Sequence, residues 1–237
     1  MISTNLLNSE EFMVIDLKRK LSNIYLQSGI PIKYHFETLE KGWSTEFSPS
    51  QKLSGVAKER SKLVKKIISA YIDYLDGILN TQGLKLKFKD SYVFLTDMIL
   101  DGGKESGKTF LLSLIAQAAI NKGYKVKYVT WVDYLDRFQS FETRNNNEDF
   151  FEECKEADLL IFDSVYDYNI SANSKFFIIQ LDRLMSNRLD SGKTTICSID
   201  SQNGANPVFG SIWNRFTRET FTLHLPGAII ENRTKRS

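Results

Sequence analysis

Gly102, Gly107, Lys108 and Thr109 stand at the spacing G-x-x-x-x-G-K-[ST] without a mismatch. Each residue type suits one chemistry, the holding of a phosphate chain. Glycines let the main chain turn with positive φ and bring its N–H groups onto phosphate oxygens. A helix opening behind them aims its N-terminal amides, worth about half a positive charge, at the same oxygens. The Lys108 ammonium reaches β- and γ-phosphates, and the Thr109 hydroxyl is a ligand for Mg²⁺. The motif therefore predicts nucleotide binding by Gly102, Gly103, Lys104, Glu105, Ser106, Gly107, Lys108, Thr109 and Phe110, with ATP and Mg²⁺ as cofactors.

A second acidic element follows about 55 residues after Lys108. Leu159-Leu160-Ile161-Phe162-Asp163 is four apolar residues and a carboxylate, the pattern of a buried strand that delivers Asp163 to the metal's water shell. The next residue is Ser164, whose hydroxyl is a poor base at neutral pH. Hydrolysis should then be slow unless another carboxylate, such as Asp167, polarises the attacking water. Thr194 to Asp200 reads as a further strand ending beside the motif, with Asp200 either aligning water or capping a loop. Arg215 and Arg218 follow a short helical pattern. Arg215 is placed either to reach a neighbouring subunit's γ-phosphate or to form a surface ion pair.

These residues need strand, loop and helix around them, and the patterning supplies such elements. The apolar run Tyr92–Leu100 predicts a strand into the glycine loop, and Lys108–Lys122 the helix out of it. Strands are expected at 125–130, 159–163, 194–199 and 219–225, with helices at 131–142, 148–157, 174–189 and 207–215 between them. Thr143 to Asn147 reads as a polar loop. Alternation of this kind means a parallel sheet covered on both faces. Ahead of it, 49–82 reads as one long helix, opened by Pro49 and closed at Gln82-Gly83. Residues 9–28 read as another, ended by Gly29-Ile30-Pro31, with Phe12, Ile15, Leu21, Ile24 and Tyr25 at near-helical spacing. Its apolar side either packs on the main domain or docks a partner. The division expected is a helical docking segment at 1–48 and a nucleotide-binding domain at 49–237.

Composition narrows the class. The chain has 237 residues, 42% hydrophobic and 25% charged, with a net charge of +2. It is large enough for a sizeable core and is not a global polycation, so nucleic-acid affinity must come from local patches. Two cysteines and two histidines leave a zinc site almost without ligands. A cytoplasmic protein with no membrane association is expected.

Residues 30–237 resemble the DnaC/DnaI/IstB group of AAA+ ATPases, helicase loaders and related transposition ATPases. The resemblance rests on Gly29-Ile30-Pro31 with Tyr34 and Phe36, the 56–79 helix with Gly83 and Leu84, the loop Gly102–Thr109, and Tyr128 to Leu135. It continues through Asp163, Phe177 to Arg188 with Thr194-Thr195-Ile196, and Asn214-Arg215-Phe216. It implies an AAA+ core with a parallel five-stranded sheet of order 5-1-4-3-2, and a small helical N-terminal appendage. It also implies catalytic roles for Lys108 and Asp163, metal roles for Thr109 and Asp163, and a trans role for Arg215. Ser164 stands where the family has its glutamate, and Asp200 where it has an asparagine. The implied partners are a replicative hexameric DNA helicase, single-stranded DNA, and further copies of the chain joined through the ATP site. Arg137 with Phe138, and Tyr166, Tyr168 and Lys175, are available to DNA. The function expected is that of a weakly hydrolysing helicase loader. The alternatives are an IstB-like transposition ATPase and an ATP-gated adaptor without significant turnover.

Overall fold

The computed structural model describes residues 9–38, 62, 64–69, 85–88, 91–94, 97–104, 106–139, 144–165, 175–200, 215–218 and 220–225. The strands are β1 (Lys85–Phe88), β2 (Ser91–Phe94), β3 (Met98–Asp101), β4 (Val126–Thr130), β5 (Leu159–Val165), β6 (Thr194–Ile199) and β7 (Phe221–His224). The helices are α1 (Ser9–Gln27), α2 (Lys108–Asn121), α3 (Trp131–Gln139), α4 (Arg144–Glu156) and α5 (Lys175–Asp190), with a 3-10 turn at Ile32–Tyr34. Among the described residues, no helix is long and apolar enough to cross a membrane.

Five strands form one sheet in the order β4-β5-β6-β3-β7, and every pairing in it is parallel. Counted from the glycine-loop strand β3, this is 2-3-4-1-5, the expected 5-1-4-3-2 read from the other edge. Parallel neighbours need crossovers, and the helices that make them cover both faces. Strand alternation divides the core accordingly. Met98, Leu100, Tyr128, Ile161 and Ile196 face α2, the segment around Tyr25–Tyr34 and the helical stretch 64–69. Ile99, Val129, Leu160, Phe162 and Cys197 face α3, α4 and α5. Helix α2 is buried from Phe110 to Gln117 without a polar side, because sheet and N-terminal segment enclose it.

Three expectations change. The run Tyr92–Leu100 is two strands. β2 pairs antiparallel with β1, Phe88 facing Ser91, and β3 begins afresh after a bend at Asp97. Asp97 leaves the strand path to accept the Thr195 amide at 2.6 Å. The polar stretch from Arg144 is helical, the start of α4. Its helical state follows packing of Phe150, Phe151 and Cys154 into the core, which outweighs the weak propensity of three asparagines. Strand β5 runs two residues past Asp163, with a register shift between Phe162 and Val165. Of the helix expected at 49–82, the described residues 64–69 are helical. Of that expected at 207–215, only Arg215 is described, and it opens a helical turn at 215–218.

The N-terminal segment packs on the main domain through its later part. Tyr25, Ile30 and Tyr34 are buried against the core, whereas Met13, Val14, Ile15, Leu17, Ile24 and Leu26 of α1 are exposed.

Candidate nucleotide site

Strand β3 delivers the chain to the C-terminal edge of the sheet, where Gly102 still donates its amide to the Ile199 carbonyl of β6. A β-carbon on Gly102 would fall 2.5 Å from Ser106 Oγ and 3.0 Å from Leu225 Cβ, so a larger residue there would have to displace the Ser106 hydroxyl. Gly107, at φ +89°, ends the loop as the N-cap of α2. The expected strand–loop–helix context is therefore present.

Lys108 is buried at the start of α2, and its ammonium donates to the carbonyls of Gly102 and Gly103 at 2.5 and 2.9 Å. Its charge thus stays at the loop without a carboxylate among those partners. Ser106 Oγ is buried in the same loop and has no hydrogen-bond partner among the described residues. A buried hydroxyl without a partner costs about 1–3 kcal/mol. An oriented hydroxyl, a lysine, a glycine turn and a helix N-terminus suit an anionic, oxygen-rich group. Phosphate fits these residues. Thr109 is half-buried at the second position of α2, and Lys104 is exposed on the loop. Phe110 is buried against Tyr34, their rings 5.8 Å apart, and so serves the core. Glu105 lies outside the described residues.

Asp163 reaches the same sheet edge from β5, two strands from β3. Its side chain is almost wholly buried, yet three hydroxyls surround it. Tyr128 Oη, from β4, donates to Oδ2 at 2.7 Å. Ser198 Oγ, from β6, donates to Oδ1, and Ser164 Oγ lies 3.4 Å from that oxygen. Burial first, then the Asp163 charge, pushes the Tyr128 phenol well above its ordinary range, so it remains a donor. Strand parity explains the convergence. Tyr128, Ile161 and Ile196 share the α2 face, and Asp163 and Ser198 are each two residues further along. Among the described residues, no group of three His, Cys, Asp or Glu side chains is arranged as a metal cage. Mg²⁺ characteristically takes one or two protein ligands and completes its shell with water and substrate phosphates. Thr109 and Asp163 are the residues that would serve it here.

Ser164 sits at φ +59°, a left-handed conformation that is uncommon outside glycine. Its amide donates to Ser198 Oγ at 2.7 Å. The residue after Asp163 is therefore turned at an irregularity in the strand and tied to β6. Asp200, the polar residue singled out beyond β6, is buried just past that strand, while Ser198 makes the contact with Asp163. Sequence reading missed Ser198 and Tyr128. Counting by twos back from Asp200 and forward from Val126 would have put both on the face of Asp163.

Arg215 is exposed and pairs with Asp190, at the end of α5, at 3.0 Å. Arg218 is exposed in the same helical turn. Arg137 stacks its guanidinium over Phe150 at 5.4 Å. Tyr166, Asp167 and Tyr168 lie outside the described residues, as do the side chains of Phe138 and Lys175.

The fold is shared with replication proteins of low sequence identity. A structure of DnaI superposes with a TM-score of 0.54 at 14% identity, over 84% of this chain and 96% of that one. The DnaC helicase loader gives 0.53 at 13% identity, over 77% and 97%. The replication initiator DnaA, bound to AMPPCP and single-stranded DNA, gives 0.56 at 18% identity, over 83% of this chain but 50% of that one. The chain thus spans about half the length of that initiator. No curated protein matches it in sequence. A family model described as IstB-like ATP binding protein matches residues 85–211, more than half of the 237. With the glycine loop, Lys108 and Asp163 on one edge of a 2-3-4-1-5 sheet, the chain belongs to the IstB-like ATP-binding proteins, on the AAA+ fold.

Proposed function

We propose that the chain is an ATP-binding AAA+ helicase loader, which assembles on a replicative DNA helicase and delivers it to single-stranded DNA. The observation that carries the nucleotide part is the loop itself, with Lys108 and the unpartnered Ser106 hydroxyl facing one small turn. Lys108 and the α2 amides hold β- and γ-phosphates, and Thr109 and Asp163 hold Mg²⁺ and its water. When bound, Mg²⁺ neutralises phosphate charge and so supports both binding and phosphoryl transfer. Ser106 donates its hydroxyl to a phosphate oxygen.

Turnover is slow in this proposal, because Ser164 provides no base and its amide and hydroxyl are engaged with Ser198 and Asp163. The nucleotide serves chiefly as an assembly signal at a subunit interface. Arg215 supports this role: it is exposed, and its ion pair with Asp190 is exposed too, an arrangement that a neighbouring subunit's phosphate could replace. Met13, Leu17 and Ile24, exposed on one side of α1, supply a face for the helicase. The chain works in the cytoplasm.

A second reading is favoured by the family description at 85–211, a transposition ATPase that marks DNA for a transposase. Ser164 in its left-handed conformation favours a third, an ATP-gated adaptor with negligible hydrolysis. Affinity capture with the full chain, with and without Mg-ATP, separates the first two. Retention of a hexameric helicase, lost in a Leu17→Asp/Ile24→Asp variant, supports the loader. Retention of a transposase alone contradicts it. ATP turnover unchanged by single-stranded DNA and by Lys108→Ala favours the adaptor.

A further inference from the structure

Tyr128 touches two regions at once. Its phenol donates to Asp163, and its main-chain N–H donates to the Ser28 carbonyl at 2.7 Å, one residue beyond α1. β4 is an edge strand of the sheet, so Ser28 takes a position that a further strand would otherwise fill. Gly29 lies closer still. At φ +91° it is in a conformation suited to glycine, and a β-carbon there would fall 2.2 Å from the Tyr128 carbonyl oxygen.

The same short segment also grips the helix behind the glycine loop. Gln117 of α2 donates to the Tyr34 carbonyl at 2.8 Å and accepts from the Phe36 amide at 2.7 Å. Tyr25 donates to Asn121 at 2.6 Å. Phe36 is held at φ +63°, strain that a non-glycine residue sustains only when its surroundings fix it. Segment 25–36 is thus fastened both to α2, which carries Lys108 and Thr109, and to Tyr128, which holds Asp163.

We propose that Tyr128 is a positioning residue: it fixes the Asp163 carboxylate for the metal of a bound nucleotide, and its attachment to Ser28 and Gly29 makes the seating of the N-terminal segment part of that site. The proposal rests on the nucleotide reading above. With Tyr128 on Oδ2 and Ser198 on Oδ1, the carboxylate is held from the strand on either side and presents one orientation. Partners that orient a metal-binding group typically change metal affinity by about 10–100-fold when removed. Linkage makes the effect reciprocal. Whatever displaces the segment weakens Mg-nucleotide binding by the factor by which Mg-nucleotide resists the displacement. A partner that grips α1 is then felt at Asp163 without touching it.

The test is equilibrium binding of a fluorescent ATP analogue to the full chain, in EDTA and over a magnesium series. Tyr128→Phe is expected to raise the magnesium concentration for half-maximal enhancement about tenfold and to leave affinity in EDTA unchanged. Gly29→Ala is expected to shift it the same way. Gly192→Ala, with a similar left-handed strain (φ +64°) but nothing within 4 Å, is expected to change neither. Hydrogen exchange of the Tyr128 amide supplies a second readout. Mg-nucleotide should slow it in the wild type and slow it less in Tyr128→Phe. A wild type that binds nucleotide with a magnesium dependence unaltered by Tyr128→Phe overturns the proposal alone. A wild type that binds no nucleotide overturns the nucleotide reading and the proposal with it.

Discussion

The two ends of the central sheet each bury a charged side chain, and they treat it differently. At the N-terminal ends of the strands, Arg188 of α5 is 1% exposed. It donates to the carbonyls of Cys154, Lys155 and Ala157 behind α4, and to Thr194 and Thr195 at the start of β6. Burial pulls its guanidinium down to about 10, so it stays charged at neutral pH. At the C-terminal ends, Asp163 is 2% exposed and is met by hydroxyls from three strands. Arg188 spends its donors on four main-chain oxygens and the Thr195 hydroxyl, closing a helix end and a strand start. The donors around Asp163 are side-chain hydroxyls, which hold a carboxylate in place. The same degree of burial thus marks a structural clasp at one edge and the proposed metal-nucleotide site at the other.

That contrast is open to double dissociation. Arg188→Met should have the largest effect. It strands several buried carbonyls at about 1–3 kcal/mol each, for a loss of about 3–5 kcal/mol in urea unfolding. Nucleotide affinity of the folded fraction should not change. Lys108→Ala should do the reverse. It should lower nucleotide affinity about 100-fold, or about 2.7 kcal/mol, measured by titration, with the urea midpoint scarcely moved. A matching loss of stability would show that the lysine serves the loop's own fold. Asp163→Asn should cost about tenfold in affinity with magnesium present and little in EDTA. An equal loss in both would remove the metal role.

Arg215→Ala should be the mildest in the isolated chain, because an exposed ion pair contributes about 0–1 kcal/mol. Its informative readout is sedimentation with Mg-ATP. Loss of nucleotide-dependent self-association supports a trans role, and unchanged association reduces Arg215 to its pair with Asp190.

The two ends were unequally legible in sequence. The glycine loop carries its own spacing, and the alternation of strands with helices implied a parallel sheet, while the strand order came from the resemblance to the DnaC/DnaI/IstB group. Asp163 was visible because it ends an apolar run. Tyr128 and Ser198 were not, because each was read as filling a strand, without asking which face it shared with Asp163. Arg188 looked like one more basic residue on a helix. Its role depends on the end of α4 meeting the start of β6 in space, which no spacing along the chain shows. The β1–β2 hairpin was hidden because one apolar run crossed the bend at Asp97, where a side chain bonding to β6 breaks the strand.

The central claim is that this site holds Mg-ATP to direct assembly and splits it slowly. The most direct measurement is single-turnover and steady-state ATP hydrolysis by the full chain at saturating Mg-ATP, with single-stranded DNA present, beside bound nucleotide in the same samples. The account predicts stoichiometric, Lys108-dependent binding with turnover below about 0.1 s⁻¹, under the usual enzymatic range of roughly 1–10³ s⁻¹. Turnover within that range, abolished by Asp163→Asn, would contradict it.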